Sequence, residues 1–508
     1  LEQETRINVM TSERIQARLD RIEGQLAAIE KRLQLARWGF FAGQPEGDPD
    51  AIEVERGRFL LSPETTDTVE DALARQEESG PLPRRLELLY KRILDAKVEA
   101  RPEVVRLRYS VGERFRAFRP RVKGREVDSA DITHILRHNP DRQTRREAWE
   151  AMEPLAEEVR ADTLALFRLR NSLAQAEGFG AFPDIKLAAD GLAYTSLLEY
   201  YVELEASTRD AYLRFLDRAC GRLGLGTLMP WDIEYALSLL TTPDEKYFPP
   251  DGVLEKVSQG LVRAGFAKGT RVAQVTVAPI PYGGICYDVE VPDDIRLLVN
   301  PRPGFLTYSI LFHEFGHAQH FAHIQQPNYL FRSEYGCMPE GLAITVQRLA
   351  LDETWLTEIA GVPEAQAEQL AKGKRDITVH RLRKLMADST VELKAYADTD
   401  QDLARARRQA IEGFLMVPCT ESCAWASDPF LALDPVYWHN YILGQAIASQ
   451  NVERLMLMGL KSLLSPQFGE FLITHYFEPG NSISWEQRIR NATGKNLSMR
   501  AIGLECTA

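Results

Sequence analysis

Residues 307–325 read TYSILFHEFGHAQHFAHIQ. The first six are apolar apart from Thr307 and Ser309, follow Pro303-Gly304, and begin at a residue, Thr307, that can cap a helix. This pattern predicts a helix over 307–325. On it, His313 and His317 stand one turn apart on one face, with Glu314 beside them. The apolar flanks make the helix a buried one. Two imidazoles and a carboxylate on a buried helix are costly unless something partners them.

Outward from this segment the chain is mostly helical. Upstream, RVAQVTVAPI, ICYDVEVP and IRLLVN, between Arg271 and Asn300, are short and rich in Val and Ile. They predict three strands of a small sheet. Gly283 and Gly284 between the first two fit a bend or a close backbone approach. The predicted class is therefore mainly α, with a small β-sheet beside the His313 helix. Helical spacing runs, with breaks, from about Thr68 to Leu240. Residues 42–66, rich in Gly, Pro, Asp, Ser and Thr, read as loops. Ile15, Leu19, Ile22, Leu26, Ile29, Leu33 and Ala36 make a heptad seam. It packs either within the chain as a helical hairpin or, as a dimer contact, against a second copy. We divide the chain into an N-terminal helical lobe, 1–230, and a catalytic region, 231–508.

The composition sets limits on function. The 508 residues carry 61 Lys+Arg against 73 Asp+Glu, a net charge of −12. That balance disfavours nucleic acid and anionic membranes as partners. No apolar run approaches the ~20 residues that span a bilayer, and the first residues have no apolar signal core. A cytoplasmic location is the expectation. Six cysteines are too few for a disulfide scaffold. Cys419 and Cys423 read as structural thiols rather than metal ligands.

The chemistry lies in His313-Glu314-Phe315-Gly316-His317. Two imidazoles one helical turn apart can bind one zinc ion at about 2.0–2.1 Å. Zinc lowers the pKa of water toward ~7, and Glu314 is placed to take that proton and return it to a leaving amine. His320 lies about 10 Å along the helix from His313, too far to share the ion. The third ligand is drawn from Glu340, His323 and Glu334, with Glu340 favoured because Met338-Pro339-Glu340-Gly341 opens another helical pattern.

The stretch HEFGHAQH, the following QQPNYLFR, the distance to Glu340 and the approach DIRLLVNPR resemble the thimet oligopeptidase and oligoendopeptidase F family of zinc metallopeptidases. The convincing match covers about 280–350. The resemblance implies two helical lobes around a deep channel and one Zn2+ per chain. It implies His313, His317 and Glu340 as ligands and Glu314 as general base. It also implies tyrosines that steady the oxyanion, here Tyr437 and Tyr441 in DPVYWHNYILGQ, with Tyr441 favoured and His439 pointing away. The family's upstream His is missing, its Gly-rich loop is replaced by SDPFLALDP, and Ile344 stands where a polar group often follows the third ligand.

The expected function is zinc-dependent hydrolysis of internal bonds in short peptides, with the backbone of the substrate pairing near Gly283-Gly284. The alternatives are a peptidyl-dipeptidase or carboxypeptidase, for which the sequence identifies no cationic pocket, a peptide-binding pseudoenzyme that does not cut, and hydrolysis of a non-peptide amide.

Overall fold

Ile15, Leu19, Ile22, Leu26, Ile29, Leu33 and Ala36 are all buried along the first helix, Ser12–Phe41. The structure, a computed structural model, describes residues 12–45, 47–73, 81–241, 244–280 and 283–507. The N-terminal half of this seam packs with Leu60, Val69, Leu82, Leu86, Leu89 and Ile93, and with Leu330 and Phe331. This half of the seam therefore packs within the chain. Arg85 fixes the register, with its guanidinium on Glu23 and Asp20 at 2.5 Å each.

Residues 42–66 are not all loop. Helices Pro49–Leu60 and Pro63–Leu73 occupy much of that stretch. The loop-forming residues are helix starts. Asp48 accepts from the Asp50 amide at 3.0 Å ahead of Pro49, and the Ser62 hydroxyl accepts from Thr65 ahead of Pro63. Pro at the first helical position and Asp or Ser before it serve both roles.

The rest is mainly α, as expected. A two-residue hairpin, β1 (Arg121–Val122) with β2 (Arg125–Glu126), interrupts the helices. The three expected strands are β3 (Ala273–Val277), β4 (Gly284–Glu290) and β5 (Asp294–Val299), in the order β3-β5-β4. β5 lies parallel to β3 and antiparallel to β4. Central β5 is covered on both faces. Ile295, Leu297 and Val299 join the main core, and Leu298 packs with Tyr287 and Val289 against Leu35 and Trp38 of the first helix. The sheet is thus held between the first helix and the His313 helix. The main apolar core runs from Leu94 to Ile502 and takes residues from both sides of the boundary drawn at 230/231.

Three helices meet behind the site: Phe305–His323, Cys337–Gln347 and Trp438–Leu457. They meet at glycines. A Cβ on Gly316 would lie 2.7 Å from the Ala343 Cα, and one on Gly341 would lie 2.8 Å from Ile447. Backbones this close admit no side chain between them. Among the described residues, no helix is long and apolar enough to cross a membrane.

Candidate metal centre

His313 and His317 project from one face of the Phe305–His323 helix, and their Nε2 atoms lie 3.1 Å apart. Glu340, in the first turn of the Cys337–Gln347 helix, brings Oε2 to 3.3 Å from His313 Nε2 and 4.0 Å from His317 Nε2. The Gly316–Ala343 contact is what sets these two helices close enough. Donors bound to one tetrahedral ion at about 2.0–2.1 Å lie about 3.3–3.4 Å apart, so the three observed separations bracket that edge. The Glu340 Oε2 is buried and, among the described residues, has its polar neighbours in the two imidazoles alone. Their side chains keep 12%, 14% and 7% exposure, so the set is sunk but not sealed. The residues present fit a zinc-class ion. Burial draws His317 down to about 3, against the pull of Glu340, which favours the neutral ring at pH 7. Burial alone would raise Glu340, but the hydrogen bond and charge of the facing imidazoles and the Tyr437 hydroxyl outweigh it, leaving a carboxylate.

Glu314 lies against the sheet. A Cβ on Gly284 would approach the Glu314 Cγ to 2.7 Å, and one on Gly283 would approach Ile310 Cδ1 to 2.5 Å. The two glycines thus serve close approach, as read from the sequence, and the approach is to this helix. Burial lifts Glu314 to about 7, with His313 opposing, Glu340 adding, and a hydrogen bond from the Cys286 backbone lowering it. A carboxyl poised there can exchange a proton at neutral pH.

The other two ligand candidates are occupied elsewhere. Glu334 is clamped by Arg488 and faces His320 at 3.3 Å. His323 bonds its ring nitrogen to the Gln319 carbonyl at 2.8 Å.

Tyr437 and Tyr441 both reach the centre, with different partners. Tyr437 immediately precedes the Trp438–Leu457 helix, and its hydroxyl donates to Glu340 Oε1 at 2.7 Å. This supplies the polar partner of Glu340 that Ile344 does not. Tyr441 stacks edge-on with Tyr437 at 5.4 Å between centroids. No hydrogen bond ties its hydroxyl among the described residues, and burial, then Glu340, push it well above the ordinary phenol range. His439 points away, onto Asp190 Oδ2 at 2.9 Å.

Arg381, on the Glu364–Ala397 helix, is a site residue the sequence did not reveal. Its guanidinium sits 5.9 Å from the Tyr441 ring centroid and within the field of Glu340. It makes no hydrogen bond or ion pair among the described residues. Burial presses its pKa down, with Tyr441 and Glu340 opposing. No local signal separates it from the other 60 Lys and Arg residues.

No family model and no curated protein sequence matches the chain. Solved structures do match in fold. The M32 carboxypeptidase from Deinococcus radiodurans R1 superposes with a TM-score of 0.65 at 14% identity, over 96% of this chain and 97% of that one. Trypanosoma cruzi metallocarboxypeptidase 1 gives 0.63 at 14% identity, over 97% and 98%. The chain therefore shares the whole fold of these proteins. The likeness to oligoendopeptidases rests on the motif region alone.

Proposed function

We propose that the chain is a zinc metallopeptidase that removes residues from the C-terminus of peptides. His313, His317 and Glu340 would hold one Zn2+, which supplies Lewis acidity and lowers the pKa of water. Glu314 takes the proton from the attacking water and delivers it to the leaving amine. The Tyr441 hydroxyl donates to the oxyanion as it develops. Tyr437 holds Glu340 in place. β4 is an edge strand of its sheet and could add the extended peptide beside Gly284.

The observation that favours C-terminal over internal cleavage is Arg381. A part-buried guanidinium beside the centre with no hydrogen bond or ion pair among the described residues is suited to a substrate carboxylate. The carboxypeptidase names of the fold neighbours agree with this. Internal cleavage needs no such cation. Mass spectrometry of products from matched peptides with free and amidated C-termini tests the reading. We expect ladders shortened from the C-terminus, with amidated peptides spared. Equal cleavage of both at internal bonds would replace it with the endopeptidase reading. No cleavage by the zinc-loaded chain would leave the pseudoenzyme.

A further inference from the structure

The sequence contains a second pair of histidines one helical turn apart, His134 and His138 in HILRH. They end the helix Ser129–His138. Facing them is Glu245, which opens the short 3-10 turn Glu245–Tyr247. Glu245 Oε1 lies 3.3 Å from His138 Nε2 and 3.6 Å from His134 Nε2. One ligand atom from each of the three residues can be chosen so that all lie within 4.8 Å of one another. The two ring centroids are 4.8 Å apart, the same separation as for His313 and His317. Both carboxylate distances fall close to the tetrahedral edge of about 3.3–3.4 Å for zinc-class bonds.

The carboxylate oxygen is itself unexplained. Glu245 Oε1 is sealed from solvent and has no hydrogen-bond partner among the described residues. Such atoms are uncommon in folded proteins.

We propose that His134, His138 and Glu245 form a second site for a divalent transition metal of the zinc class, independent of the His313 centre. The donor set is two imidazole nitrogens and one carboxylate oxygen. The exposure of His134, 52%, leaves room for water to complete the shell. The location gives the site its consequence. Glu245 Oε1 would lie 3.2 Å from a Cβ on Gly304, the residue that precedes the His313 helix. The Gly304 amide bonds to the Phe248 carbonyl at 2.9 Å, just after the Glu245 turn. The Ser129–His138 helix reaches the same entry through Asp128, its cap, paired with Arg302 at 3.0 Å. His313 lies about 14 Å further along the helix axis. A metal here would fasten the Ser129–His138 helix to the start of the helix that carries the other centre. It would favour the folded state, since the unfolded chain does not assemble the set.

The test is zinc titration of the full, chelator-stripped chain by calorimetry, with equilibrium dialysis for stoichiometry. We expect two zinc ions per wild-type chain. We expect one in H134A/H138A and one in H313A/H317A, and none when the four substitutions are combined. In H313A/H317A, zinc should raise the melting temperature, and adding E245Q should reduce that rise. Zinc uptake by H134A/H138A equal to wild type would overturn the proposal, as would absence of uptake by H313A/H317A that retains its circular dichroism. If H313A/H317A does not fold, H313N/H317N is scored in its place. Because this arm uses a chain without the His313 centre, its failure is separable from failure of the peptidase reading.

Discussion

Replacing Tyr437 by Phe removes one hydroxyl and keeps the ring that packs on Phe430 and Tyr441 at 5.9 and 5.4 Å. The deleted hydrogen bond is the 2.7 Å one to Glu340 Oε1, while Oε2 faces the two imidazoles. A hydrogen bond to a charged group contributes about 1.5–3 kcal/mol. Its loss frees Glu340 to turn and makes the carboxylate more basic toward protons. Partners of this kind typically change metal affinity about 10–100-fold, which agrees with that energy at about 1.4 kcal/mol per decade. We expect Y437F to raise the zinc Kd by about 10–100-fold, measured by competition with a chromophoric chelator. At saturating zinc its kcat should stay within a few-fold of wild type. Y441F should do the reverse, keeping zinc affinity and lowering kcat about 100-fold or more. If Y437F binds zinc as tightly as wild type while its kcat collapses, Tyr437 is the oxyanion donor and the division of roles is wrong.

E314Q should retain zinc and lose nearly all turnover, because an amide cannot accept the proton; substantial residual hydrolysis would assign the base elsewhere. R381M should cut kcat/KM on free-C-terminus peptides by the roughly 2–5 kcal/mol that a buried charge partner commands, about 30-fold or more. It should leave the residual cleavage of amidated peptides unchanged, and an equal fold-loss on both would deny it the carboxylate. G284A should sharply reduce activity, since its Cβ would press to 2.7 Å from the Glu314 Cγ; wild-type kcat in a folded G284A chain would show that the strand has room to move. Glu392 is buried, accepts the Val436 amide at 2.7 Å, and is raised by that burial to about 8. A raised carboxyl pKa means that the folded state holds the proton more tightly than the unfolded one. Its contribution is therefore full below about 4.5 and is lost as pH rises toward 8. E392Q keeps the acceptor and should flatten the fall in unfolding free energy, from urea titrations between pH 5 and 8, by on the order of 3 kcal/mol; parallel wild-type and E392Q profiles would place that titration elsewhere.

Local spacing carried the features that the sequence alone determined. Two histidines at i and i+4 share a helix face whatever surrounds them, so His313 and His317 could be paired on reading. The same held for the heptad seam and for the Val- and Ile-rich strands, where periodicity follows from backbone geometry. Glu340 was reached because it opens the next helix but one, a short step in the chain. HILRH carries the same i, i+4 signal, but on a short helix with no local feature to mark it. The Glu245 that gives the pair meaning is distant in sequence. Residues 42–66 are ambiguous by sequence because Asp48 and Ser62 suit both turns and helix starts. The remainder depended on tertiary packing. Tyr437 meets Glu340 because Gly341 lets the Trp438–Leu457 helix approach closely. Glu314 is desolvated because Gly284 admits it to the sheet. Arg381 lacks an ion pair among the described residues only because of what the folded chain packs around it. Contacts of that kind join residues far apart in the chain, and neither residue type nor spacing encodes them.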